Sequence, residues 1–155
     1  MRWILLLVCA LGMALAANPQ LAAVHTVYFL PMSNSLDQYL ANRLTATGVF
    51  QVVTDPQKAD AIFSDKIGEA LEQKLNELYP PEGKKAEEDE KDDVGKPAPR
   101  VGSFSRARGT VFLVDRRTRN VVWSIYSPVR STRPDDVNRR ADDIITRLRK
   151  DLKAK

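Results

Sequence analysis

Apolar and polar positions are most regularly spaced between Gly109 and Pro128, GTVFLVDRRTRNVVWSIYSP. Two runs of β-branched and aromatic residues, Thr110 to Val114 and Val121 to Tyr126, flank a short polar segment, which is the form of an antiparallel hairpin. Asp115 is suited to hydrogen-bond the turn backbone, and Asn120 tolerates a positive φ better than most residues. In the outgoing strand the alternation places Val121, Trp123 and Ile125 on one face and Val122, Ser124 and Tyr126 on the other. The Trp123 face needs a cover. The segment after the hairpin supplies one: Val137, Ala141, Ile144, Ile145, Leu148 and Leu152 recur at helical spacing. Thr132 with Asp135 has the form of a capping box, Pro134 suits a first turn, and Asp135 and Asp136 oppose Arg149, Lys150 and Lys153 along the helix dipole.

The amino-terminal half reads as a strand, a helix and a strand. VHTVYFL, Val24 to Leu30, has apolar residues at both parities and ends at Pro31, so it predicts a strand inside the sheet. Ser33 or Asn34 caps a helix carrying Leu36, Tyr39, Leu40 and Leu44, which Gly48 closes; Val49 to Thr54 forms the next strand, reached by a parallel crossover. After a turn at Asp55 and Pro56, AIFSD predicts a third strand. Ile67 to Tyr79 then carries Leu71, Leu75 and Leu78 at helical spacing and stops at Pro80 and Pro81.

Two segments stand outside this pattern. The opening has Arg2, an apolar run from Trp3 to Leu15 and small residues at Ala14 and Ala16, the form of a secretory signal peptide cut after Ala16, with a cut after Ala23 as the alternative. The run is shorter than the ~20 residues of a membrane span, so an uncleaved anchor is the weaker reading. Cys9, the sole cysteine, leaves with the leader, and Val8 before it does not suit lipidation; the mature chain then has neither disulfides nor thiolate chemistry. The other segment, about residues 80–100, is charged, rich in Gly and Pro and almost without apolar side chains. It predicts a disordered insertion within one domain spanning residues 24–155.

Charge separates the two halves. Residues 100 to 155 hold fifteen basic and six acidic side chains, whereas residues 17 to 99 are net acidic. Most of the basic groups are arginines, suited to bidentate contact with phosphate or carboxylate. Two candidate anion-binding patches follow: Arg116, Arg117 and Arg119 at the hairpin tip, and Arg106, Arg108, Arg130 and Arg133 at its opposite end. Catalytic signals are sparse. His25 is the single histidine, no G-x-S-x-G turn or phosphate-cradling glycine loop is present, and the acidic run Glu87 to Asp93 lacks the spacing of a calcium loop. No catalytic residue, cofactor or metal ligand is assigned. Export argues against nucleic acid as a partner and favours lipid headgroups or cell-wall polymers, with peripheral membrane contact.

KADAIFSD, Lys58 to Asp65, and GTVFLVDRRTRNVVWS, Gly109 to Ser124, resemble the bacterial envelope proteins built like the amino-terminal domain of the Tol translocation protein TolB, with the periplasmic domain of the curli secretion pore and the lipoproteins that activate penicillin-binding proteins. Asp115, Thr118 and Trp123 match a D-x-x-T-G turn before a tryptophan-bearing strand; Arg119 stands at the glycine position, and the lipidation cysteine is missing. The resemblance implies a mixed sheet with helices packed on one side and a non-catalytic role in envelope assembly or binding, with Asp60, Asp115 and Trp123 as turn and core positions. The expectation is therefore a periplasmic α+β domain of order βαββ(α)ββα, a two-layer sandwich of about five strands. Its partner is an envelope protein complex or, alternatively, an anionic envelope polymer or lipid; a hydrolase is the third reading.

Overall fold

The computed structural model describes residues 19–80 and 109–153. The leader, the charged insertion beyond Pro80, Arg106 and Arg108 lie outside the described residues. Among the described residues five strands form one mixed sheet: β1 (Thr26–Phe29), β2 (Gln51–Val52), β3 (Ala61–Ser64), β4 (Thr110–Asp115) and β5 (Val121–Tyr126). Their spatial order is β2-β1-β3-β4-β5. The first three are parallel, and β4 turns antiparallel between β3 and β5. Four α-helices accompany them among the described residues: α1 (Pro19–Ala22), α2 (Leu36–Thr47), α3 (Glu69–Leu78) and α4 (Pro134–Lys153). This is the expected α+β class, with β1 inside the sheet and the long helix last.

Burial on both faces explains the central strands. Every residue of β3 is buried, and Phe29 of β1 stacks on Phe63 with ring centroids 4.8 Å apart. On one face, Val27, Phe63, Val111, Leu113 and Trp123 pack with Leu36, Leu40 and Leu44 of α2 and with Val137, Ala141, Ile144, Ile145 and Leu148 of α4. Each such leucine or isoleucine contributes about 1.5–3 kcal/mol through removal from water. Trp123 of the hairpin and Ile144, Ile145 and Leu148 of the helical stripe are here as expected, with Ile125 and Leu152 partly buried against them; Val121 is not. Layering goes beyond the expected single covered face: Leu71 and Leu75 of α3 form a second, smaller cluster with Leu30, Ile62 and Val114 on the other side. The apolar residues of opposite parity in β1, β3 and β4 are what this third layer covers.

Four local expectations are corrected. Leu113 pairs with Trp123 but Val114 pairs with Val121, leaving Val122 as the extra residue of a β-bulge. Val122 therefore joins Trp123 in the main core. Val121 shares the α3 side with its partner Val114 and is 46% exposed. Second, the positive φ of the hairpin turn is at Arg119 (61°), not at Asn120. Third, neither Ser33 nor Asn34 caps α2 with its side chain. Asn34 and Ser35 are both left-handed, the hydroxyl of Ser33 donates to Asp65 Oδ2 at 2.8 Å, and Asp37 turns back to accept Met32 N–H at 3.1 Å. Fourth, at the start of α4 it is Ser131, not Thr132, whose hydroxyl accepts a backbone N–H, that of Arg133 at 3.1 Å. Gly48 closes α2 as expected, with φ 63° and its N–H on Leu44 O at 2.8 Å.

Candidate functional site

The described arginines of the second half divide into those the fold uses and those it leaves to solvent. At the hairpin tip, Asp115 Oδ1 accepts from Arg117 N at 2.9 Å, Thr118 N at 2.7 Å and Thr118 Oγ1 at 2.9 Å, which builds the turn. The turn aims Arg119 at α3, where Nη1 meets Glu72 Oε2 at 3.1 Å and Nη2 meets Asn76 Oδ1 at 3.4 Å. Arg116 donates to the carbonyl of Gln57 and lies over the Tyr79 ring, 5.5 Å from its centroid. Tyr79 in turn donates its hydroxyl to Pro56 O at 2.6 Å, and Gln57 Nε2 donates to Leu78 O at 2.7 Å. The expected tip patch is thus largely a clasp between the hairpin, the 56–58 turn and α3. Of its three guanidinium groups only that of Arg117 makes no hydrogen bond or ion pair among the described residues.

The opposite end of the hairpin is arranged differently. Gly109 opens β4 with φ 122°, and its carbonyl accepts from Ser127 N at 2.8 Å and from Arg140 Nη2 at 3.0 Å. Arg140 Nε also reaches Ser127 Oγ at 3.3 Å. Burial pulls this guanidinium below its usual value, while Asp65 opposes the shift; arginine remains charged regardless. The strap from Ser127 to Ser131 and the first turns of α4 enclose a shallow cavity of about 240 Å³. Ser127, Pro128, Arg130, Ser131, Asp136, Arg139, Arg140 and Asp143 line it. Arg139 is paired with Asp136 at 2.7 Å. The exposed guanidinium groups of Arg130 and Arg133 have neither an ion pair nor a hydrogen bond among the described residues.

Sequence reasoning placed Arg130 and Arg133 here but missed Arg139, Arg140, Asp136 and Asp143. The signal was available: positions 136, 139, 140 and 143 share one face of a helix, beside the apolar stripe. A second cationic surface, also missed, follows the last turns of α4, where Thr146, Arg149, Lys150 and Lys153 line a broad groove of about 500 Å³.

His25 and Asp60, the other polar residues singled out from the sequence, serve the fold. His25 Nδ1–H donates to Ala23 O at 2.8 Å. Asp60 Oδ2 accepts the N–H groups of His25 at 3.0 Å and Thr26 at 2.9 Å, fastening the loop before β3 to the start of β1. Among the described residues no helix is long and apolar enough to cross a membrane. No protein-family model, no curated protein and no solved structure matches the chain. The resemblance to the envelope domains accordingly rests on Lys58 to Asp65 and Gly109 to Ser124 alone.

Proposed function

We propose that the chain is an exported, non-catalytic binding or assembly module of a bacterial cell envelope, and that the partner it meets is anionic. The observation that carries the reading is the contrast between the two ends of the hairpin. Among the described residues, Arg116 and Arg119 are committed to internal contacts, whereas the guanidinium groups of Arg130, in the cavity wall, and Arg133, just past it, make none; the cavity's other arginines, Arg139 and Arg140, are held by Asp136 and by Gly109 O. A guanidinium without an internal partner retains its full capacity for bidentate contact with phosphate or carboxylate. Phosphate-bearing lipid headgroups and anionic cell-wall polymers present that chemistry at an envelope surface. The signal-like leader and the resemblance of the turn at Asp115 support the location.

The test is co-sedimentation of the processed protein with phosphatidylglycerol-containing vesicles and with isolated cell wall, at low and high salt. Binding should fall in high salt, and the Arg130→Glu/Arg133→Glu double variant should lose most of it at unchanged melting temperature. An envelope protein complex as partner is the competing reading. Salt-insensitive capture of one envelope protein, with no vesicle or wall binding, would favour it over direct contact with a polymer or lipid.

A further inference from the structure

We infer that residues 19–23 belong to the folded domain and not to the export leader, so that the leader is released upstream of Pro19, after Ala16. The inference rests on the export reading given above and narrows it to one processing site. Leu21 is 3% exposed and Val24 is 6% exposed, and both belong to the main core that also holds Val27, Trp123 and Leu148. The intervening backbone is ordered by its own hydrogen bonds: Ala23 N–H to Pro19 O at 3.2 Å and Val24 N–H to Leu21 O at 3.3 Å. Immediately afterwards Asp60 fixes the N–H groups of His25 and Thr26. The segment is a built part of the molecule.

A cut after Ala23 conflicts with this arrangement in two ways. It removes Leu21 from the core, and it puts a new ammonium group on Val24, a buried residue, where charge is costly. The recognition chemistry agrees. Signal cleavage takes small side chains one and three positions before the cut. Ala16 and Ala14 satisfy both positions, whereas a cut after Ala23 places Leu21 at the second of them. The residue that fills the core is thus also the one that spoils the later site.

The experiment expresses the full chain with its own leader in an export-competent bacterium and reads the amino terminus of the exported protein by intact mass and Edman sequencing. A terminus at Ala17 is expected. A terminus at Val24 would overturn the inference while leaving export intact, and an exported chain that still begins at Met1 would also overturn it. A chain retained in the cytoplasm with Met1 would remove the export reading itself and this inference with it. Core membership is tested separately with Leu21→Asn, which creates no new small-x-small site: its melting midpoint should fall by roughly 5–15 °C. Ala22→Ser, at an exposed neighbour, should leave the midpoint in place. An unchanged midpoint for Leu21→Asn would overturn the inference whatever the fate of the leader.

Discussion

The indole Nε1 of Trp123 donates to Asp151 Oδ2 at 3.0 Å, joining the edge strand β5 to the last turn of α4 across 28 residues of chain. Arg147 Nε holds the other carboxylate oxygen at 3.2 Å. The tryptophan buries its rings in the main core, and the carboxylate satisfies its one polar atom at the rim. Asp151→Ala leaves that N–H without its acceptor and should cost about 1–2 kcal/mol in denaturant unfolding. Arg147→Ala, which leaves the indole bond in place, should cost under ~1 kcal/mol. Equal losses would show that the ion pair, not the indole, is what Asp151 serves.

Asp60 should make the fold sensitive to acid. Burial pushes its carboxyl up, but the backbone N–H groups of Thr26 and His25, with the Thr26 side chain and His25 adding to them, draw the net value below the ordinary 3.8. A carboxyl lowered by folding stabilises the native state fully above its unfolded value, and the contribution is lost as pH falls through the lower folded value. Melting temperature followed from about pH 5 to pH 2 should therefore decline more steeply for the parent than for Asp60→Asn. Parallel curves would mean that the clip gains nothing from its charge.

Arg119 adopts φ 61°, a region that non-glycine residues enter at a cost of roughly 1 kcal/mol. Its ion pair with Glu72 is exposed enough to return under ~1 kcal/mol. Arg119→Gly should thus match the parent or exceed it slightly, while Arg119→Ala keeps the strain, loses the pair and falls about 1 kcal/mol below Arg119→Gly. A chemical unfolding series on the three proteins decides the order.

Gly109 has no such latitude. At φ 122° an added Cβ would stand 2.7 Å from the carbonyl oxygen of Ser127 and 3.2 Å from Pro128 Cα, both backbone atoms. Gly109→Ala should cost about 3 kcal/mol. Because the Gly109 carbonyl also accepts from Arg140, the same variant should weaken binding of anionic vesicles beyond any loss of folded protein. Unchanged binding per folded molecule would detach this corner from the proposed surface.

Much of the architecture is legible from spacing alone. The ends of β4 and β5, the stripe of α4 and the glycine closing α2 are local matters, decided by residues within one element. What escaped depends on neighbours distant in sequence. VVWSIY has apolar side chains at both parities, so only its pairing with β4 determines that Val122 is the extra residue and that Val121 turns to the other face. The three leucines of α3 mark a helix, but the face it covers is set by Ile62 and Val114. A run such as Asp115 to Arg119 looks like a free cationic tip until Glu72, Asn76 and Tyr79 occupy two of its guanidinium groups. Charge counts therefore locate arginines without showing which are spent. Leu21 was hidden for a similar reason: adjacency to a leader-like run masked its membership in the core.

The sheet order also determines how the molecule responds to being cut. β3, from the first half of the chain, lies hydrogen-bonded against β4, from the second, and α2 shares its buried leucines with α4, where Arg43 also meets Asp142 at 3.1 Å. A protease acting once between Pro80 and Gly109 would sever the polypeptide but none of these contacts. The products should migrate together on a sizing column and separate only in denaturant. Two genes encoding the pieces should then reconstitute, by complementation, what neither fragment forms alone.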